Sequence, residues 1–412
     1  MLNLGMKKQS LQVKDLLNQI PKALLDRLGE ETRVDYQVKK LTGERIFQLL
    51  LYGLIKQNNL SWRILETMLA TVKYRQFSGL AVDFETDHSS LATRLSQIKS
   101  VYFEKIHEEV TKMLQETYPT EKVAGYRVVR FDSTLVSVAG TLLKIGGLRH
   151  GVNTRKKQAS DPVDIKFSVG FDGWYGTKGK VFNEQAYLAE DTALPEIIHA
   201  HTLGKNEIAV FDRGINSRKT WENFSDQSLQ FVTRAKAQFG KVKHELVRQI
   251  TLVSDKNPVQ TDTLSLNKDV EVYLYGQNGK KTKRTFRMIE AVRKDSGETL
   301  YFISNMFELE PEEIVFIYRR RWDIECFFKF LKQEFGFGHF LSRNKNGMEV
   351  MLYMTLIAFA LIHIYYKANN IQGFKIAKIK FEQELEHELL KIIIEQCNGD
   401  PQLLDKLANK RF

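Results

Sequence analysis

Tyr318-Arg-Arg-Arg-Trp-Asp-Ile-Glu325-Cys-Phe-Phe-Lys-Phe-Leu-Lys332 contains no proline or glycine, and Pro311-Glu312-Glu313 stands just upstream. Ile324, Phe327, Phe328 and Leu331 recur three and four apart, which predicts one amphipathic helix through the whole stretch. Pro311 suits its first turn, where a missing N–H costs nothing. At about 100° per residue, Tyr318, Arg321, Glu325 and Lys332 fall within roughly 60° of one another, beside the apolar stripe rather than on it. One carboxylate thus stands among two cations and a phenol. Two readings fit. Either Glu325 is a metal ligand whose cationic neighbours hold a substrate's phosphate oxygens, or the face is solvated and Arg321 simply pairs with Glu325 four residues on.

Two upstream segments share a second form. Tyr126-Arg-Val-Val-Arg-Phe-Asp132-Ser-Thr134 and Glu207-Ile-Ala-Val-Phe-Asp212-Arg-Gly214 each read as an apolar strand followed at once by an aspartate. A strand end holds a functional group rigidly at a sheet margin. Taken singly, each aspartate could equally be a turn or cap residue.

Tyr318-x2-Arg321-x3-Glu325-x6-Lys332 resembles the Y-R-E-K signature of insertion-sequence DDE transposases, and Asp132, Asp212 and Glu325 match that family's three carboxylates in order and context. The resemblance covers roughly residues 120 to 366. It implies an α/β catalytic domain with a ribonuclease H-like mixed sheet and flanking helices. It also implies two magnesium ions, with manganese as a substitute, held about 4 Å apart by Asp132, Asp212 and Glu325. Arg213, Tyr318, Arg321 and Lys332 would then contact DNA. The implied partners are double-stranded DNA, as element ends and target, and a second copy of the chain in the DNA complex; the implied setting is a bacterial cytoplasm, at the nucleoid. The activity would be cutting at element ends and joining the 3′-hydroxyls to target. A nuclease without strand transfer and a catalytically silent DNA-binding protein are the rival readings.

The surrounding chain frames this centre. At 412 residues and 43% hydrophobic, it is long enough for two or three domains, and its net charge of +11 favours a polyanionic partner. Two cysteines, Cys326 and Cys397, exclude a disulfide framework or thiolate metal cluster and fit a reducing compartment. Met1 to Gln19 is interrupted by Lys7, Lys8, Lys14 and Asp15, unlike the apolar core of a signal peptide. Val350 to Tyr366 is nearly continuous in apolar residues, but Thr355, His363 and its marginal length favour a buried core helix over a membrane span.

The expected division is a helical DNA-end-binding domain over 1–118, the catalytic domain over 119–234 and 299–370, a β insertion over 235–298 and a helical tail over 371–412. In the first segment, helices are expected at Leu11–Leu28, Thr42–Gln57, Ser61–Thr71 and Ser89–Glu116, with Thr42 and Ser61 as N-caps. Arg94, Gln97 and Lys99 would line an exposed face suited to phosphate contact, or would be scattered surface charge. In the catalytic segment, strands are expected at Ile165–Phe171, Gln185–Ala189 and Gln230–Arg234, with helices at Thr192–His201 and Ser217–Phe224; His199 and His201 read as structural. The insertion reads as a hairpin turning at Asn278-Gly279, and Lys280, Lys281, Lys283, Arg284 and Arg287 near that turn suit a DNA backbone or a solvated turn. Hairpin-forming members of the resembled family carry a tryptophan in this insertion. Here Trp62, Trp174, Trp221 and Trp322 all lie outside it, leaving Tyr273, Tyr275 and Phe286 as substitutes for stacking on a base.

Overall fold

A computed structural model describes residues 11–139, 146–149, 162–237, 242–251, 253–254, 256–276, 279–339 and 341–408. They fall into two compact units, one taking in residues up to Pro119 and from Lys329 onward, the other Thr120–Thr141 and Gly146–Phe328.

The first unit is helical. Its N-terminal part holds α1 (Val13–Leu17), α2 (Lys22–Thr32), α3 (Gly43–Lys56), α4 (Trp62–Leu69), α5 (Val72–Ser78), α6 (His88–Gln97) and α7 (Ser100–Thr117). The single helix expected over Leu11–Leu28 is two, because Pro21 cannot continue a helix and instead stands extended before α2. Thr42 and Ser61 do cap α3 and α4, accepting from the N–H groups of Arg45 and Ile64. The helix expected over Ser89–Glu116 breaks at the extended Ile98. Arg94 is turned inward. Its guanidinium donates to the carbonyls of Leu41 and Val34 and to Asp35, tying α6 to the α2–α3 connection. Lys99 likewise donates to the Thr32 carbonyl, so neither stands ready for a phosphate as placed.

The β-rich unit is a ten-stranded sheet. Its strands are β1 (Arg127–Ala139), β2 (Pro162–Phe171), β3 (Gly176–Phe182), β4 (Glu207–Phe211), β5 (Gln230–Arg234), β6 (His244–Gln249), β7 (Val259–Gln260), β8 (Leu264–Tyr275), β9 (Lys281–Arg293) and β10 (Thr299–Ser304). Their spatial order is β3-β2-β1-β4-β5-β10-β9-β8-β6, with β7 beside β8. β1, β4 and β5 run parallel, whereas β2 and β3 on one flank and β10, β9, β8 and β6 on the other pair antiparallel. The third strand is therefore β3, and Gln185–Leu188, expected to be extended, forms a short 3-10 turn. The strands of the expected insertion extend the central sheet through β10. Asn278 lies outside the described residues.

Helices α8 (Glu190–His201) and α9 (Arg218–Asp226) cover one face of this sheet. Leu194, Ile197, Trp221 and Phe224 pack there with Val129, Phe131, Phe211, Phe231 and Phe286. Helix α10 (Pro311–Arg319) covers the other, where Ile314 and Ile317 meet Val128, Ile208, Val210 and Phe302. Each large apolar side chain fully buried in this way is worth about 1.5–3 kcal/mol, so the alternation along β1 and β4 pins their register.

Beyond α10 come α11 (Trp322–Glu334), within which the division between the units falls, then α12 (Lys345–Ala368), α13 (Phe374–Gln396) and α14 (Gln402–Ala408). α12 is the one helix among the described residues long and apolar enough to cross a membrane, and 89% of its apolar window is buried. It packs against α3, α6, α7 and α13, as the core helix of its unit.

Candidate active site

Strand parity assembles the site. Val128, Arg130 and Asp132 alternate onto one face of β1, and Ile208, Val210 and Asp212 onto the same face of the β4 line; both valines and the isoleucine pack beneath α10. Phe131 pairs with Phe211 in parallel register, so the two aspartates follow side by side. Asp132 is not at the end of its own strand, as expected, since β1 continues against β2 as far as Ala139. It is where β1 outruns β4, which leaves its side chain beside Asp212 with no further strand on that side.

Both aspartates are tied to nearby backbone. Asp132 Oδ1 accepts from the Ser133 N–H at 2.8 Å, and Asp212 Oδ1 from the Gly214 N–H at 2.6 Å. A Cβ on Gly214 would lie 2.6 Å from Asp212 Oδ1 and 2.9 Å from Glu190 Cβ, so only glycine admits this approach. Burial pushes the Asp132 carboxyl up to about 7, opposed by the Ser133 N–H and assisted by the Asp212 charge; Arg321 pulls it down and Glu190 pushes it up.

Glu325 arrives on α11, and here the structure corrects the expectation of one helix. Residues 320 and 321 form a turn, so Tyr318 lies in the last turn of α10 while Glu325 lies in the first turn of α11. The bonds tighten from four-residue to three-residue spacing: Arg321 N–H to Tyr318 O at 2.9 Å, Asp323 N–H to Arg320 O at 3.1 Å and Ile324 N–H to Arg321 O at 3.2 Å. The cause is tertiary. Arg130, only 2% exposed, reaches across from β1 and donates from Nε to the Arg320 carbonyl at 3.1 Å and from Nη2 to Asp323 at 3.0 Å.

Arg321 nevertheless joins the carboxylates. Its Nη2 pairs with Glu325 and its Nη1 lies 3.7 Å from Asp132 Oδ2. The local Arg321–Glu325 pair is thus present, and the same guanidinium stands beside Asp132. The Tyr318 hydroxyl is raised by burial and lies within the influence of Arg234, Arg321 and Asp212. Lys332 stands two turns beyond Glu325 in the last turn of α11, its ammonium lowered by burial. Arg213 is exposed beside Asp212. Trp322, 62% exposed and adjacent to Arg321, is a large aromatic surface outside the insertion.

Sequence reasoning also missed Glu190. It opens α8, accepts from Ser133 Oγ at 2.9 Å and pairs with Lys166 at 3.0 Å; Lys166 is 1% exposed and donates also to the Leu188 carbonyl. A lysine in a strand otherwise reading as apolar core was the available signal.

All-oxygen carboxylate donors suit a hard divalent cation, and a mostly buried aspartate whose cationic neighbour stays 3.7 Å away is under-neutralised. The residues therefore fit such an ion chemically. As placed, with Arg321 drawn between Asp132 and Glu325, no three His, Cys, Asp or Glu side chains among the described residues are arranged to share one ion.

The basic hairpin is partly self-neutralised. Lys281 pairs with Glu245 and Arg284 with Asp226; Lys280 and Lys283 are exposed. Arg287 is not a surface cation: wholly buried, it forms a two-bonded pair with Asp269 at 2.8 Å. Phe286 lies 0% exposed against Trp221 and Phe231, which removes it as a base-stacking candidate. Tyr273 and Tyr275 are half-buried, each with a lysine over its ring, Lys281 at 4.7 Å and Lys243 at 5.1 Å.

Residues 124–361, more than half of the chain, match the model of the Transposase DDE domain, and the chain belongs to that family. Among its relatives, a putative transposase y4zB of Sinorhizobium fredii is 28% identical over 162 residues, 39% of this chain and 43% of that protein. A putative transposase for insertion sequence element IS4SA of Synechocystis is 22% identical over 278 residues, 66% of this chain and 70% of that protein. A piggyBac transposase synaptic complex with hairpin DNA aligns at a TM-score of 0.46 and 13% identity, covering 97% of this chain and 85% of that one. The match to the first of these relatives spans less than half of its length.

Proposed function

We propose that this protein is a DNA transposase that cuts at the ends of an insertion sequence and joins the resulting 3′-hydroxyls to target DNA. The observation that carries the reading is the placement of Asp132 and Asp212 side by side on parallel strands, with Glu325 linked to Asp132 through Arg321. The strand order β3-β2-β1-β4-β5 supports a ribonuclease H-like core, and Tyr318, Arg321, Glu325 and Lys332 supply the Y-R-E-K spacing. Asp132, Asp212 and Glu325 are the residues that would hold two magnesium ions, which when bound activate a nucleophilic oxygen and stabilise the leaving one.

The chain's other residues serve the substrate. Arg321, released from its two carboxylates, presents a planar fork to the phosphate beside the scissile bond. The half-buried Tyr318 hydroxyl donates rather than ionises, since burial holds its proton above the usual phenol range. Arg213, Lys280, Lys281, Lys283, Arg284 and Lys332 supply positive charge along the DNA backbone. Trp322 offers an exposed aromatic face for a displaced base, and Tyr273 and Tyr275 offer half-buried ones.

The test is incubation with a library of short duplex ends and magnesium. A nick that leaves a 3′-hydroxyl, followed by joining of that end to a second duplex, is the expected result. Nicking without joining reduces the protein to a nuclease, and binding without nicking to a silent DNA-binding protein.

A further inference from the structure

Arg130 is a deeply buried arginine on the face that carries Asp132, and it is not one of the four residues of the Y-R-E-K spacing. At 2% exposure its guanidinium has been taken out of water, a large cost that an apolar side chain of similar volume would avoid. Its bonds are all to one purpose. Nη1 donates to the Val128 carbonyl of its own strand at 2.6 Å, Nε to the Arg320 carbonyl at 3.1 Å and Nη2 to Asp323 at 3.0 Å. Arg320 Nε also stands 2.9 Å from Asp323 Oδ2, an ion-pair contact without hydrogen-bond geometry. Arg130 is two residues from Asp132 on β1, and Asp323 two residues from Glu325 on α11. The same pair that interrupts the helix at residues 320 and 321 therefore sets where the first turn of α11 begins relative to β1. Gly173, at φ 103°, keeps this corner open, since a Cβ there would stand 3.2 Å from Arg130 Nη1.

We infer that the Arg130–Asp323 pair is a positioning device that holds the Glu325 carboxylate in register with Asp132 and Asp212. This rests on the proposed transposase reading. Arg321 cannot do the same work, because it must leave the carboxylates when phosphate and cation enter, whereas Arg130 touches neither. Arg130 is accordingly a positioning residue, and its removal lowers the rate of chemistry while leaving DNA capture alone.

The experiment compares wild type, Asp132→Asn, Arg130→Met, Arg130→Lys, Asp323→Asn and the Arg130→Met/Asp323→Asn double variant in single-turnover nicking of a duplex end recovered from the library. A parallel titration follows thermal unfolding against manganese without DNA. If wild type fails to nick, the transposase reading falls. If wild type nicks and Asp132→Asn does not, the inference is tested by the rest. Expected are a tenfold or greater fall in nicking rate for Arg130→Met and for Asp323→Asn, end affinity within about twofold of wild type, and a manganese midpoint shifted upward at least tenfold. The double variant should be no slower than the slower single, and Arg130→Lys should recover part of the rate. Folded Asp323→Asn with wild-type rate and manganese midpoint overturns the inference, as do multiplicative losses in the double variant. Should Arg130→Met not fold, Asp323→Asn alone decides, its side chain being 32% exposed and tolerant of the change.

Discussion

Phe131 and Phe211 face each other across the parallel pair β1 and β4, and the residue after each is an aspartate. Because two strands in register advance together, Asp132 and Asp212 must emerge as neighbours, 80 positions apart in the chain. Glu325 is linked to Asp132 from a different element, through Arg321.

Replacing Asp132 or Asp212 by asparagine, or Glu325 by glutamine, should abolish nicking and leave binding to a duplex end within a few-fold of wild type. Each change removes a charge and keeps the shape, and fewer carboxylates repel phosphate less. Electrophoretic binding and cleavage assays on the same preparations check this, and a variant retaining wild-type cleavage in magnesium would falsify the assignment.

Asp132 makes a pH prediction for the ion-free protein. Its folded carboxyl sits at about 7 against the ordinary 3.8, so between these values the folded state binds more protons and stability declines as pH rises through that window. At about 1.4 kcal/mol per pH unit of difference, the loss by pH 8 is on the order of a few kcal/mol. Thermal unfolding should therefore show higher stability at pH 5 than at pH 8 from this group. Asp132→Asn should flatten that slope, and magnesium should restore wild type, but not the variant, at pH 8.

Arg321→Ala and Lys332→Ala should weaken binding to a pre-cleaved end and reduce its salt slope by about one unit each, as expected for one lost phosphate contact. Arg321→Ala should in addition destabilise the ion-free protein by more than the few tenths of a kcal/mol of an ordinary exposed helix pair, because it leaves Asp132 and Glu325 without their shared cation. An unchanged salt slope with full strand transfer would make the Arg321–Glu325 pair ordinary scaffold.

Glu190→Gln should lower the pH at which Asp132 ionises, since one of the charges that disfavour its carboxylate is removed. It should also destabilise the fold, by about 3–5 kcal/mol for a buried pair broken on one side, because Lys166 is 1% exposed and loses its carboxylate. The Lys166→Met/Glu190→Gln double variant should recover much of that stability, and denaturant unfolding of the three proteins decides.

The sequence by itself determined the elements that local chemistry dictates: the caps Thr42 and Ser61, the apolar runs before Asp132 and Asp212, and the amphipathic segment bearing Glu325. Alternation puts Asp132 on the side of Val128 and Asp212 on the side of Ile208, but only the parallel pairing of β1 with β4 decided that these are the same face of the sheet. What it could not decide was set by partners far away in the chain. No proline or glycine marks the break at residues 320 and 321; it follows from Arg130, 190 residues upstream, claiming the Arg320 carbonyl. Arg94, Arg287 and Phe286 read as surface residues until the fold buried them against Asp35, Asp269 and Trp221. A charge or a ring carries no record of whether water or protein will surround it. Long-range packing makes that choice, and with it which cations remain for a phosphate and which are already spent on the fold.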